Sequence, residues 1–581
     1  MKHLLVFSIG PVQEFIAAAR RTRDLWFGSE MLSEVSRAAA KAVGDGRLIF
    51  PPSIDPELAP SVANVILAEL EDGADPEVVA ELARKAAVEK WEKYAAEAWD
   101  KVKEVLNAKR WKTQIGDVLE FYAAWAELPN DAAYARTRAL AMRLLAGRKA
   151  CRNFGAGAGE AGVPKSSLDG ARESVWMEGW DSAKLPAGLA RKLRVSAGEQ
   201  LDAVGVVKRV AGGTANYPSV SRIAADPWLR GLAITDPAGL GELAAECRRL
   251  HGEKLLTEVG WDQFKDFPFE GSVVYRNRHK ELEEETLAKG CFDALGGIVR
   301  KLERHGIPPQ PYLTLLAADG DKMGKAISAI ESATEHRKFS ADLSRFARKA
   351  KEIVADHHGY RIYAGGDDVL ALVPLDTVLA CAWELREKFC GLMKQWKESP
   401  TLSVGIAIGH FLEPLEDLLG WARAAEGDAK DAGRDALAVH LHTRAGAPLK
   451  VRGKWSRRPD LELSSLAEMH LAEQIPDKAG YDLRELAAGY QGWAHQTAGE
   501  KADLAAAIRS DAKRLIARKR ARRPAKEESP LLKMVEGVNC DGELSAVADR
   551  LILAGHFAEA MSQARGKSAA GGKSAAGEEK P

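Results

Sequence analysis

No window of the 581-residue chain approaches the roughly 18 consecutive apolar residues that a membrane-spanning helix needs, so no membrane span is expected. Net charge is absent too. Eighty-three basic side chains balance 83 acidic ones, so overall charge points to no polyanionic partner, and any nucleic-acid surface has to be local. Cysteine is scarce: the six stand at 151, 247, 291, 381, 390 and 540. No two form a C-x-x-C pair, which excludes a zinc ribbon and a thioredoxin-type motif. Reduced, buried thiols in a cytoplasmic protein are expected. The apolar run Leu4–Phe7 is broken early by Gly10-Pro11 and is too short for a signal peptide. With 46% hydrophobic and 29% charged residues, the chain is neither wholly disordered nor collagen-like nor a disulfide scaffold. At about 150 residues per domain, its length suggests roughly four domains.

The pattern along the chain predicts an α+β protein with two ferredoxin-like domains. Residues 4–9 read as a buried strand. A helix is expected from Pro11 to about residue 42, and Arg47–Phe50, Val62–Leu70 and Val118–Trp125 read as further strands. A long helix over 76–108 completes a split βαβ order for residues 1–130. Residues 131–307 look mostly helical. A second βαββαβ pattern, with an added helix and strand, occupies 308–445. Its strands are expected at Tyr312–Ala318, Tyr360–Ala364, Val369–Val373, Leu402–Ile408 and Ala436–Leu441. Residues 446–565 read as a C-terminal helical domain holding a basic run, Lys513 to Lys526. Residues 566–581 have too little apolar content to fold.

The chemistry gathers in the second pattern. Asp319-Gly320-Asp321 ends one strand, and Gly365-Gly366-Asp367-Asp368 joins two others. A ferredoxin-like sheet places that strand beside that hairpin, so the acidic groups meet at one edge. Hard oxygen ligands around an open site suit Mg²⁺ or Mn²⁺, which keeps waters and accepts substrate phosphates. Two such ions can activate a hydroxyl and stabilise a leaving pyrophosphate. Glycines let a nucleotide approach closely. Gly and Asp are also ordinary turn residues; the matching Asp-Gly-Asp favours the metal site. Strand alternation would point Asp367 and Asp368 to opposite faces. Lys322, Lys325, Lys430 and Arg434 suit phosphate or solvent equally, and a helix C-terminus favours cations in any case. His357-His358 point apart on a helix, which argues against a histidine metal site. Gly155–Glu160 is glycine-rich but lacks the strand a phosphate loop requires.

Several segments resemble one family. Phe7-Ser-Ile-Gly-Pro-Val-Gln-Glu-Phe-Ile16, Ala19-Arg-Arg-Thr-Arg-Asp-Leu-Trp-Phe-Gly-Ser29, Lys165–Ser174, Tyr217–Ser221 and Asp319–Gly324 look, in that order, like the large polymerase-like subunit of type III-B CRISPR effector complexes, the Cmr complexes. The region 308–445 also resembles GGDEF-type nucleotide cyclases, with Thr401–Ala407, Ala429-Lys430 and Gly433-Arg434 fitting that pattern. The resemblance implies two palm domains with helical domains between and after them. It implies condensation of ATP into cyclic oligoadenylates when the guide-RNA complex binds target RNA. The implied metal ligands are Asp319, Asp367, Asp368 and the main chain of Gly320, holding two Mg²⁺ or Mn²⁺ ions. Gly365, Gly366, Asp321, Lys322, Lys430 and Arg434 would contact ATP. Guide RNA, target RNA, backbone subunits and a small helical subunit would be partners.

The pattern departs from that family in two respects. Many members carry an N-terminal HD nuclease domain, whereas the first strand here starts at residue 4 and no adjacent His-Asp pair occurs. Many also hold zinc on clustered cysteines, whereas Cys151 stands alone. Neither an HD site nor a zinc site is expected. Two alternatives stay open: a nucleic-acid-binding scaffold with an inert palm, and a free-standing nucleotide cyclase or polymerase.

Overall fold

The computed structural model describes residues 1–151, 159–179, 185–196, 198–212, 217–286, 288–304, 308–476, 478–493, 498–518 and 530–566. Two antiparallel-based sheets organise it. The first consists of β1 (Lys2–Gly10), β2 (Leu48–Phe50), β3 (Val65–Leu70) and β4 (Glu120–Leu128) in the order β2-β3-β1-β4. That is the expected split βαβ arrangement. Helices α1 (Thr22–Val43) and α2 (Pro76–Val102) cover one face, and α3 (Tyr134–Ala150) packs against β1 and β4. The helix expected from Pro11 to residue 42 is broken: a short turn, Gln13–Ala17, precedes α1. The fully buried Lys208 Nζ donates to the carbonyls of Phe15 and Ala18 at that break, supplying a donor that the interrupted helix lacks.

Lys208 belongs to α4 (Ala203–Val210), every residue of which is buried. Its neighbour Arg209 donates from Nη2 to Asp24 Oδ2 and to Glu199 Oε1, both at 2.9 Å, and from Nη1 to the carbonyl of Arg194 at 2.9 Å. Burial alone would push the Asp24 carboxyl up, but the Arg209 guanidinium holds it below the usual range. Further along, α5 (Val220–Thr235) begins at Ser219, whose Oγ accepts from the Arg222 amide at 3.1 Å.

The second sheet has six strands in the order β10-β9-β8-β5-β7-β6. They are β5 (Tyr312–Asp321), β6 (Tyr360–Ala364), β7 (Val369–Val373), β8 (Thr401–His410), β9 (Ala436–Leu441) and β10 (Leu449–Lys454). β10 lies in the region read as wholly helical, so this sheet runs past the expected boundary at residue 445. Its Leu449 and Val451 are buried while Lys450, Arg452 and Lys454 are exposed. That two-residue period had the strand signature, but over only six residues. Helices α6 (Ala333–Asp356) and α7 (Val378–Met393) fill one face with Phe346 and Phe389, and α8 (Leu415–Asp431) fills the other with Leu418 and Ala422. Where the βαββαβ order has one helix after β5, the structure has two, Met323–Ser328 and α6, because Ser332 caps α6 by accepting from the Glu335 amide.

The two sheet domains are tied together. Tyr134 Oη meets His336 Nδ1 at 2.8 Å, and Arg337 donates to the Leu48 carbonyl at 2.9 Å and pairs with Glu69 at 3.1 Å. Helices α9 (Ala479–Tyr490), α10 (Ala498–Arg518) and α11 (Asp541–Ala564) build a third core around Leu483, Ile508 and Leu544. The end of α11 reaches back to α5. A Cβ on Gly231 would lie 1.8 Å from the Gln563 carbonyl oxygen, and the Gln563 side chain donates to Pro308 O at 2.8 Å and accepts from the Gln310 amide at 3.3 Å. All six cysteines are free; Cys247 and Cys381 are buried, but Cys151 and Cys540 are exposed, contrary to the expectation of buried thiols. The basic run is described only to Arg518, and the tail only to Gly566.

Removing the Arg209 cation should be costly because Asp24 and Glu199 would be left buried without a counter-charge. Arg209→Leu is expected to destabilise the chain by ~3–5 kcal/mol in chemical denaturation, and adding Asp24→Asn should restore part of the loss. Equal stability of Arg209→Leu and the parental chain would show that the network carries no such load.

Candidate active site at the end of strand β5

β5 pairs with β8 to its last residue, Asp321 opposite Thr401, but with β7 only as far as Ala318 opposite Val369. Asp319, Gly320 and Asp321 therefore run on beside the turn formed by residues 365–368. Gly366 has φ +95°, and the Gly365 amide donates to the Asp368 carbonyl at 3.0 Å. A Cβ on Gly320 would stand 2.8 Å from Asp367 Cβ and 2.9 Å from its Oδ2. Glycine at 320 is thus what lets the Asp367 carboxylate close on the strand.

Alternation sends Asp319 and Asp321 to the α8 face, where they differ sharply. Asp319 Oδ2 accepts from Lys430 Nζ at 2.6 Å, and Lys430 also pairs with Glu426 one turn earlier. Asp321 is 1% exposed. Its carboxylate accepts from Ser403 Oγ at 2.8 Å, Thr401 Oγ1 at 2.9 Å and the Asp435 amide at 3.0 Å. The expected ATP contact at Asp321 is therefore corrected: its oxygens are consumed in fastening β5 to β8 and to the loop after α8. Sequence reasoning grouped Asp321 with Asp319, since nothing in Asp-Gly-Asp distinguishes the buried carboxylate from the open one.

Asp367 and Asp368 are both pushed up to about 7. Burial is the main cause and the Asp319 charge the next. Asp367 and Glu426 add to the rise at Asp368, and Arg423 opposes it. Asp368 is exposed and Asp367 half-buried, so contact with water makes the rise at Asp368 the smaller of the two. Asp367 lies against Gly320, whereas the charged neighbours of Asp368 include Glu426 and Arg423 from α8. Lys430 is half-buried, which opposes its charge, but hydrogen bonds to Asp319 and Glu426 hold it firmly protonated. Tyr363 sits beneath the turn: a Cβ on Gly365 would strike its hydroxyl at 1.6 Å, and burial together with Asp368 and Asp367 raises its pKa.

Lys322 and Lys325 are exposed after β5, Lys322 with φ +60°. Arg434 is exposed after Gly433, with φ +62°. Neither Glu426 nor Tyr363 was singled out from sequence. The i,i+4 spacing of Glu426 and Lys430 was the available signal; nothing marked Tyr363. His357 Nε2 meets Glu384 at 2.9 Å. The Lys165–Arg172 segment closes on itself through the Lys165–Glu173 pair at 2.6 Å, and the Tyr217 ring packs at a tilt against Trp26, with centroids 4.3 Å apart. Most of the glycine-rich loop Gly155–Glu160 lies outside the described residues.

Among the described residues no three His, Cys, Asp or Glu side chains form a ready-made metal cage. The donor chemistry at β5 nevertheless suits a hard divalent cation. Asp319, Asp367 and Asp368 repel one another, and among the described residues Lys430 neutralises Asp319 from within hydrogen-bonding distance. Binding by all three carboxylates requires Asp319 Oδ2 to exchange the ammonium for the ion.

Residues 4–102 match the family described as CRISPR-associated protein Cmr2, N-terminal, and residues 312–438 match Cas10/Cmr2, second palm domain. Two stretches of the chain are thus similar to Cas10/Cmr2 domains. The chain is 35% identical over 223 residues to the CRISPR system Cmr subunit Cmr2 of Pyrococcus furiosus, covering 32% of this chain and 25% of that protein. It is 42% identical over 57 residues to the CRISPR system CMR subunit Cmr2 of Saccharolobus solfataricus, covering 10% of this chain and 6% of that one. The matched stretches thus span a quarter or less of these relatives. In fold, the chain resembles a type III-B Cmr-beta structure in the apo state, with a TM-score of 0.65 and 13% identity, covering 95% of this chain and 81% of the other. Cmr-beta bound to cognate target RNA gives a TM-score of 0.63 at 13% identity, covering 95% and 83%. The Cas10/Cmr2 palm has a nucleotidyltransferase-type fold, and β5 with the 365–368 turn lies inside the matched palm. Among the described residues no helix is long and apolar enough to cross a membrane.

The raised carboxyls set a pH dependence. A group that binds its proton more tightly folded than unfolded costs folding free energy once ionised, so this cost grows from about pH 4 to about pH 7 and then stays level. Without divalent cations, Asp367→Asn with Asp368→Asn should be the more stable chain at pH 8 by ~1–3 kcal/mol, after discounting Asp368 for solvent screening. The difference should vanish near pH 4, and Mg²⁺ or Mn²⁺ should raise the melting temperature of the parental chain alone. Parallel melting curves for both chains from pH 4 to 8, with and without the ion, would overturn this account.

Proposed function

We propose that this chain is the nucleotide-condensing subunit of a cytoplasmic, RNA-guided type III-B effector complex, making cyclic oligoadenylates from ATP when target RNA is bound. The observation that carries the reading is the convergence of Asp319, Asp367 and Asp368 on one sheet edge, with Lys430 beside them. The curated relatives named as Cmr subunits, and the fold shared with Cmr-beta bound to cognate target RNA, support the complex and its RNA partners.

In this reading the three carboxylates and the main chain of Gly320 hold two Mg²⁺ or Mn²⁺ ions. When bound, such ions acidify a ribose hydroxyl and neutralise the leaving pyrophosphate. Lys430, released from Asp319, offers its ammonium to the triphosphate, with Lys322 and Arg434 as further cations. The glycines at 365 and 366 keep side-chain bulk away from the nucleotide. A 3′-oxygen bonds to the α-phosphorus of a second ATP while the bond to the β-phosphate oxygen breaks. With no adjacent His-Asp pair in the sequence, DNA cleavage by an HD site of this chain forms no part of the proposal.

Asp319's bond to Lys430 also favours a second reading, a scaffold whose palm is inert. One experiment separates the two. The assembled complex is incubated with ATP, Mg²⁺ and target RNA, and its products are identified by mass spectrometry. Oligoadenylates are expected from the parental complex, with at least a ~100-fold loss for Asp367→Ala with Asp368→Ala and unchanged guide and target RNA binding. Equal product from both complexes would exclude the assigned site, and none from either would favour the scaffold.

A further inference from the structure

The turn that joins α8 to β9 is held in a shape that residues with side chains rarely adopt. Gly433 has φ +99°, Arg434 +62° and Asp435 +45°. A helix commonly ends on one left-handed residue, usually glycine. Here two further residues follow the glycine into the same sparsely populated region. Hydrogen bonds fix the main chain on both sides. The Gly433 and Arg434 amides donate to the Lys430 carbonyl at 3.1 and 3.0 Å, and the Asp435 carbonyl accepts from the Trp455 amide at 2.9 Å. The Asp435 amide donates to Asp321 Oδ2, and Lys454 Nζ to the Gly433 carbonyl, both at 3.0 Å. The Asp435 carboxylate is gripped as well. Arg386 of α7, from the face of the sheet opposite α8, donates from Nε to Oδ1 at 3.0 Å and from Nη2 to Oδ2 at 2.9 Å.

We propose that Arg386 is a positioning residue for nucleotide binding: through Asp435 it holds this turn so that Arg434 meets the triphosphate. The inference rests on the reading of the β5 edge as a nucleotide site. Arg434 is exposed and stands in the chain between Lys430, which bonds Asp319, and Asp435, which bonds Asp321. Its main chain is thus referenced to both aspartates at the end of β5. The left-handed backbone sets the direction in which the Arg434 side chain leaves the turn, and relaxation to negative φ would re-aim it. A planar fork on both carboxylate oxygens fixes Asp435 against rotation, which the point charge of an ammonium does not. The side chains of Arg386 and Asp435 are 19% and 30% exposed, so the pair is shielded from water on most sides. A cation mounted on backbone fixed in this way loses less freedom when it takes up a phosphate.

The test titrates the target-bound complex with α,β-methylene-ATP and Mg²⁺ by calorimetry. Arg434→Ala and Arg386→Ala should each weaken binding ~10-fold. Because Arg386 acts through Arg434, the double variant should bind less than about twofold more weakly than Arg434→Ala alone. Asp435→Asn, whose side chain tolerates the left-handed turn, gives up the ionic fork and should lose affinity in the same direction. Hydrogen exchange of the full chain reads the turn without nucleotide: in Arg386→Ala the amides of 433–436 should exchange at least ~10-fold faster, and those of β7 at the parental rate. Parental affinity in Arg386→Ala, or a full ~10-fold further loss on adding it to Arg434→Ala, would overturn the positioning role and leave the nucleotide site standing. Absence of binding by the parental complex, with exchange still faster in Arg386→Ala, would overturn the nucleotide reading and this inference with it.

Discussion

Crowding of like charge at the end of β5 is the constraint around which the second palm is arranged. Three carboxyls are brought within mutual influence where β5 outruns β7, and burial, with the Asp319 charge added to it, pushes Asp367 and Asp368 up to about 7. Such an arrangement is unfavourable for folding by itself. It persists because the surrounding strands fix it: β5 is paired along its whole length with β8, and Asp321 is locked into β8 by three donors. Lys430 relieves the repulsion from the α8 side. In the proposed function the same ammonium is the group that a divalent ion would displace.

The scaffold beneath is stiff for a definite reason. β1 places Leu5 and Phe7 in one core and Leu4 and Val6 in another, and β5 divides Leu315 and Leu316 in the same way. Both central strands are thus buried on both faces. Arg337 and the Tyr134–His336 bond then join the palms across their helices. Carboxylates mounted on such strands hold their positions better than side chains on a free loop.

Much of this was legible in the sequence. Two βαββαβ patterns, the Asp-Gly-Asp strand end and the Gly-Gly-Asp-Asp turn are local features with a strong physical signature. What failed was non-local. The burial of Asp321 depends on Ser403 and on the Asp435 amide, both distant in sequence, and no period reports that. β10 is short, and the elements that follow it are helical, so a six-residue alternation was absorbed into the helical reading. The break before α1 depends on Lys208, from a helix nearly two hundred residues away. A lysine in an apolar segment says nothing by itself about whose carbonyls it will meet.

The end of α11 bears on how the chain tolerates change. Gln563 has to face Pro308 and Gln310, just before β5, while its carbonyl rests against Gly231 of α5. A helix advances about 100° per residue. One residue added to or removed from α11 upstream of that contact would turn Gln563 about a quarter of the way round and break its contacts on two other elements at once. The length of this helix is therefore fixed to the residue, and natural insertions or deletions should be confined to the loops that flank it.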